Sequence, residues 1–170
     1  MPRWILVLLV AGCAGPTYDY RFDLRDGAAT SGPTQGNAPG AAAAPAPTAA
    51  ANGVFEDATI RAALAVQGDA IALDVTNKTD AVVQIGWDHI ALDRGDGTRT
   101  RLRPAADLGW LQPGASASAQ LVPLAFPRTG DAARAYDGRT LTLDVPAVVR
   151  TEPTTYHFHF AVHVAKHEKK

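Results

Sequence analysis

Short stretches in which apolar and polar residues alternate run through the chain from about residue 54 onward. Alternation places every second side chain on the same face of a β-strand, so each stretch predicts a strand with one buried face. Glycine, proline, asparagine and aspartate separate the stretches and predict turns between them. The predicted strands cover residues 58–66, 71–75, 83–92, 98–102, 115–124, 140–145 and 156–164.

The apolar face changes phase inside the third of these stretches. The face that begins with Val83 continues at Ile90 with the alternation shifted by one residue. Such a shift predicts a bulge or bend near Asp88 and His89, because an extra residue turns the strand over.

About seven short strands without a convincing amphipathic helix predict an all-β fold, an antiparallel β-sandwich over residues 54–165 followed by a charged C-terminal tail, 166–170. Residues 73–80 resemble the first hairpin of extracytoplasmic immunoglobulin-like or transthyretin-like modules. The turn formed by Leu111, Gln112, Pro113 and Gly114 is similar to one that precedes a strand in those modules. This resemblance implies a fold class only, since many unrelated functions use the architecture.

The first thirteen residues have the pattern of an export signal. Arg3 precedes an apolar run, residues 4–10, that is too short to cross a bilayer as a helix. The run ends in Val10, Ala11, Gly12 and Cys13, which resembles the lipobox of bacterial lipoproteins. The resemblance implies a signal peptide, 1–12, that is removed, and a new N-terminus at Cys13.

Lipidation of Cys13 would place the protein on a membrane. In lipoproteins this cysteine carries a diacylglyceryl group and is usually acylated again, with palmitate as a typical chain, and two or three chains hold a protein durably. Ala14 follows the cysteine where an aspartate would favour the inner membrane. We therefore expect a location on the cell outer membrane, facing the periplasm.

Between Cys13 and the predicted sandwich lies a tether, residues 13–53. From Gly27 to Asn52 it contains alanine, glycine, proline and polar residues, and no aliphatic or aromatic residue larger than alanine. Such a composition buries too little apolar surface to offset the entropy cost of ordering. The sequence predicts disorder for 27–52, and a flexible chain of about 40 residues would let the domain stand roughly 35 Å from its anchor.

Residues 18–26 form an unusual segment within the predicted tether. Tyr18, Tyr20, Phe22 and Leu24 alternate with charged residues, which is a strand pattern. Three interpretations are open: an extra edge strand of the sandwich, a linear motif that adds a strand to a partner protein, and disorder with accidental alternation. We favour disorder here, because no neighbouring segment offers a strand with which to pair.

Composition excludes several functions. With Lys+Arg at 16, Asp+Glu at 17 and a net charge of -1, the chain lacks the basic excess that holds nucleic acid. The three serines, Ser31, Ser116 and Ser118, lie outside any nucleophile elbow, and phosphate-binding loops and dinucleotide fingerprints are missing from the sequence. We therefore expect no enzymatic activity.

Histidines are concentrated in the last predicted strand. His157, His159 and His163 lie at odd positions of 156–164, opposite the apolar side chains, so they share one face. Imidazoles at i and i+2 can chelate zinc, copper or nickel, and these three are the candidate metal ligands. The other interpretation is a solvated polar face, and it is favoured because no acidic residue or cysteine close in sequence completes a site.

The sequence thus predicts a membrane-anchored envelope lipoprotein that acts as a non-catalytic accessory or protein-binding module and needs no cofactor. Its partners would be the membrane, through the lipid, and an envelope protein. The alternative function is extracytoplasmic metal binding by the histidine strand.

Overall fold

In a computed structural model of the chain, which describes residues 16–31, 48–49, 53–106 and 108–167, two antiparallel sheets pack face to face. The fold is an all-β sandwich, as the alternation predicted. Its elements are β1 (Tyr18–Ser31), β2 (Thr48–Ala49), β3 (Val54–Glu56), β4 (Ile60–Gln67), β5 (Ala70–Asn77), β6 (Val83–Ile85), a 3-10 turn (Trp87–His89), β7 (Ala91–Asp93), β8 (Arg99–Arg101), β9 (Arg103–Pro104), β10 (Ser116–Val122), helix α1 (Gly130–Arg134), β11 (Thr140–Val149) and β12 (Glu152–Lys166).

The first sheet has the order β2-β1-β12-β11-β7-β8, and β6 pairs with β11 beyond the end of β7. The second has the order β3-β4-β5-β10-β9. Strands β8 and β9 are almost continuous in sequence but belong to different sheets, so the chain crosses from one sheet to the other at Leu102. Leu102 is fully buried, and the crossing closes this side of the sandwich.

The predicted phase shift near Asp88 and His89 is confirmed. Strands β6 and β7 both pair with β11, and the 3-10 turn Trp87–His89 bulges out between them. Trp87 is buried beneath this turn, whereas Asp88 and His89 are exposed.

The main difference from the sequence prediction concerns residues 18–31. They form the long strand β1, which pairs with β12 along its whole length, from Tyr18 opposite Lys166 to Ser31 opposite Thr154. The edge-strand interpretation is therefore right for this segment, and the preference for disorder was wrong. The sandwich therefore begins at β1 and not at residue 54. This strand is far from β12 in sequence but adjacent to it in space.

A bulge in β1 explains why the alternation ends at Leu24. The pairing register shifts between Leu24 and Asp26, so Arg25 is the extra residue and Gly27 turns inward. A Cβ atom at Gly27 would lie 2.6 Å from the Phe55 ring, which means that only glycine fits without displacement. The small residues after position 26 thus allow the strand to pack closely, although they looked like linker.

The predicted tether is corrected in the same way. Residues 27–31 belong to β1, and Thr48 and Ala49 pair back onto Gly27 and Asp26. Both ends of the connection therefore lie on the same sheet. The prediction of disorder for 32–47 and 50–52 falls outside the described residues, as does Cys13.

The core lies between the sheets and is largely aromatic on one side. Phe55 of the second sheet meets Phe158 of the first edge to face, with ring centroids 5.5 Å apart, and Tyr156 stacks beside Phe158. All three are almost completely buried. At the Tyr18 end a second aromatic group joins β1 to α1, and its rings are Tyr20, Phe22, Phe126 and Tyr136.

Candidate functional site

The histidines of β12 share the outer face of the first sheet, as the alternation requires, but neither they nor His167, which follows the strand, converge. Each one faces a different aspartate. The contacts are His157 Nδ1 to Asp144 Oδ1 at 2.7 Å, His159 Nδ1 to Asp26 Oδ1 at 2.5 Å, His163 Nε2 to Asp23 Oδ2 at 3.4 Å and His167 Nδ1 to Asp19 Oδ2 at 2.7 Å.

These contacts determine what the imidazoles can do. A carboxylate only accepts hydrogen bonds, so the Nδ1 atoms of His157 and His159 carry a proton, and only their Nε2 atoms could ligate a metal. Within the described ranges, three or more histidine, cysteine, aspartate or glutamate side chains nowhere come together in a group that could hold a metal ion. The geometry therefore gives the metal hypothesis no support, and this face is a row of separate histidine–aspartate pairs.

One pair extends into a chain of hydrogen bonds across four strands. Arg99 donates to Asp144 Oδ2 at 2.7 Å, Asp144 accepts from His157, and the other ring nitrogen of His157 lies 2.9 Å from the Thr30 hydroxyl. The order of hydroxyl, imidazole and carboxylate resembles a nucleophile with its base. Thr30 is not among the residues that line the four best-defined cavities of the described chain. The network instead satisfies the buried Asp144 and fastens β1 to the sheet.

Sequence reasoning missed the aspartates. Asp19 and Asp23 were visible on the polar face of the alternating segment, and their spacing of four residues matches that of His163 and His167. Asp26 is out of phase with them and joins the same face only because of the bulge at Arg25. Pairing 18–26 with the last strand would have brought the two sets together. Asp144 gave no such signal, because it lies within a strand that was expected to alternate simply.

Two adjoining cavities open beside this row, toward the hairpin of β11 and β12. The first, about 470 Å³, lies on the sheet surface between Arg99, Asp144, Pro146 and Pro153. The second, about 530 Å³, lies around the exposed Trp110. They share the lining residues Gln84, Gly86 and His89, so together they form one groove over β6 and the 3-10 turn.

Two exposed hydrophobic side chains, Trp110 and Val148, line the same groove, and a third, Val82, lies near it. The large hydrophobics with substantial exposure in the described chain are Val82, Trp110, Val122 and Val148. Trp110 is 65% exposed. The strand register places Val82 and Val148 near Trp110. Gln84 pairs with Val148, and Val83, which follows Val82, is bridged to Leu111, the neighbour of Trp110. We call Val82, Gln84, Trp110 and Val148 the far patch, because it lies at the end of β12 opposite Lys166.

Asn77 holds the loops behind the far patch. Its side-chain amide is completely buried and donates to the carbonyls of Ala81 at 2.7 Å and of Leu111 and Gln112 at 3.1 Å. Its Oδ1 accepts from the backbone and hydroxyl of Thr79. The two segments that resemble an immunoglobulin-like module, 73–80 and 111–114, are thus joined by one residue, which the sequence analysis did not single out.

The charged side chains at this end are paired on the surface. Arg150, in the turn between β11 and β12, bonds Asp80 and holds the pKa of that carboxyl below its usual range. Both groups are exposed, so the pair orders the turn more than it stabilises the fold. Trp110 therefore lies beside two loops that side-chain contacts hold in place, one through Asn77 and the other through Arg150.

Among the described residues, no helix is both long and apolar enough to cross a bilayer. No known protein family matches the chain, and neither the curated proteins nor the solved structures include a significant match.

Proposed function

We propose that this chain is a lipoprotein of the cell envelope, anchored through Cys13 to the outer membrane on its periplasmic side, and that its sandwich is a non-catalytic module that binds another envelope protein. The anchoring half rests on the lipobox-like residues Val10 to Cys13. The binding half rests on one observation, the far patch.

The chemistry of the far patch favours a protein partner. Exposed large hydrophobic side chains that lie close together beside polar groups are typical of interaction surfaces, and tryptophan and arginine are enriched at their energetic centres. Trp110 lines one of the two cavities, and Arg99 lines the other together with Pro146 and Pro153. A polypeptide segment with apolar and charged residues would find both kinds of contact here.

The binding proposal can be tested in the living cell. A photo-reactive amino acid at position 110 of the full chain should cross-link to one envelope protein, and the same group at Gln120, which is exposed on the outer face of the second sheet, should not. Val148→Asp should reduce the adduct at position 110 at least about tenfold, or ~1.4 kcal/mol. Gln120→Asp is the matched control. Equal cross-linking from positions 110 and 120, or an adduct indifferent to Val148→Asp, would refute the proposal.

The anchoring proposal has its own test. The Cys13→Ser variant should incorporate no labelled palmitate and should leave the membrane fraction, either as an uncleaved precursor or as a released form. Ser116→Ala, an exposed change in the sandwich, serves as the control for expression and folding. Palmitate incorporation that persists with serine at position 13 would contradict lipidation at this residue.

A further inference from the structure

We infer that the Tyr18 end of the sandwich abuts the membrane surface and that the far patch points away from it. The inference rests on the proposed lipidation of Cys13. Strand β1 adds the decisive constraint, because it belongs to the folded domain and begins almost immediately after the anchor.

The distance from the anchor to the fold is short. Thr17 is already fixed: it bridges to Thr129, and its carbonyl accepts the backbone N–H of His167 at 2.8 Å. Cys13 is four residues earlier, and four fully extended residues span at most about 14 Å. Since lipid chains would hold Cys13 at the bilayer surface, Thr17 lies within about 14 Å of that surface.

The strand geometry gives the position of the opposite end. Strands β1 and β12 run side by side from Tyr18 and Lys166 to Ser31 and Thr154. Fourteen residues of β1, at about 3.3 Å each, extend roughly 45 Å. The far patch is next to the last pairs of this ladder, because Val148 lies opposite Pro153.

The surface at the Tyr18 end suits a bilayer headgroup layer without requiring anionic lipid. Among the described residues, two cations of this end are paired within the protein, Arg128 with Asp69 and Arg134 with Asp131. Asp19 contacts His167. Asp137 adds another negative charge, and Lys166 is exposed at the end of β12. With charges of both signs at this end, the short connection to the lipid, and not electrostatic attraction, fixes which end faces the membrane.

Two single-cysteine variants at opposite ends of the same strand test the orientation. Cys13 is the only cysteine and would be blocked as a thioether, so Lys166→Cys and Glu152→Cys each supply one reactive thiol. The full lipidated protein, reconstituted in neutral phosphatidylcholine vesicles, would carry a donor dye at that thiol, with an acceptor dye on the lipid headgroups. We expect strong energy transfer from position 166 and several-fold weaker transfer from position 152, with little change when anionic lipid is added.

An insertion provides the control. A 16-residue Gly/Ser segment placed between Gly15 and Pro16 should lower the transfer from position 166 toward that from position 152. Equal transfer from both positions in the parent chain, or an insertion without effect, would overturn the orientation while lipidation stands. Failure of the protein to float with the vesicles would instead overturn the anchoring proposal, and the orientation with it.

Discussion

The two ends of the β1–β12 ladder are closed in different ways. At the Tyr18 end, an aromatic cluster around Tyr20 and Phe126 fills the space under α1, and Tyr20 donates its hydroxyl to the Pro127 carbonyl at 2.5 Å. At the far end, the buried Asn77 ties two loops through its side-chain amide. The aromatic side chains at the Tyr18 end are largely covered, whereas Trp110 at the far end is exposed to solvent.

Under the proposed function, this difference would separate membrane attachment from the recognition of a partner protein. Of the exposed large hydrophobics among the described residues, only Val122 lies toward the Tyr18 end, and the other three surround β6. Charged side chains stay hydrated beside lipid headgroups, whereas exposed apolar side chains favour the binding of a protein. The opposite ends of one 15-residue strand, β12, would thus serve the two tasks.

The largest loss of stability is expected from Asn77→Ala, which removes the side chain that joins the loops of the far end. The substitution removes the amide that donates to three carbonyls and the oxygen that accepts from Thr79, and it opens a cavity at a completely buried position. We expect a cost of about 3 kcal/mol in the free energy of unfolding. Denaturant unfolding measures the loss. Thr76→Ala, which removes only the exposed bond to Ser116, is the control and should cost less than about 0.5 kcal/mol. Similar losses for both variants would show that the amide network does not support the loops.

A smaller loss is expected from Gly27→Val, which tests whether β1 belongs to the sandwich. A side chain at Gly27 would collide with Phe55, and overpacking of this kind costs about 2 kcal/mol. Ala28→Val places the same side chain on the outer face of the same strand, opposite His157, and should change stability by less than about 0.5 kcal/mol. If 18–31 were a detached tether, the two variants would have equal stability.

The smallest predicted effect is a dependence of stability on alkaline pH, to which one tyrosine near each end contributes. Burial raises the pKa of the Tyr20 phenol near α1 and, more strongly, that of Tyr156 near the far end. Below about pH 10 both phenols are neutral in the folded and unfolded chain, so this stability is fully present. Above it the unfolded chain ionises first, and stability falls as pH rises.

Tyrosine absorbance of the folded protein should therefore show delayed ionisation. Tyr156→Phe should remove the most delayed component and make stability less sensitive to alkaline pH. Tyr18→Phe is a control, because it removes a different phenol at the opposite end. If all four tyrosines ionised together near pH 10 in the folded protein, the burial of Tyr156 would be disproved.

The sandwich was predictable from the sequence because its strands from β4 onward carry alternation that is separated by turns. The position of β1 within the first sheet was not predictable in this way. Alternation in 18–26 identifies a strand but not its neighbour, and the neighbour lies at the other end of the chain, with Asp26 bonded to His159 across 133 residues. Low sequence complexity after Asp26 concealed the remainder of the strand, where Gly27 is required by packing.

For the candidate site, the shared face of the histidines was predictable and their partners were not. The polar face of β12 follows from alternation alone, but the choice between metal ligation and aspartate pairing depends on which strands flank β12. The exposure of Trp110 also lacks a sequence signal, since it depends on how the loop after β9 lies against β6. Pairing between distant strands therefore carries most of the functional information.

Hydrogen–deuterium exchange on the full chain tests the central claim, that the segment next to the anchor is a strand of the sandwich. Amides of β1 that face β12 should exchange about as slowly as those in the centre of β11, because both sets open only when the sandwich opens. Peptides that cover 18–31 report this directly. Exchange of these peptides at the rate of an unprotected chain, while β11 stays protected, would contradict the fold of β1 and the membrane-proximal orientation inferred from it.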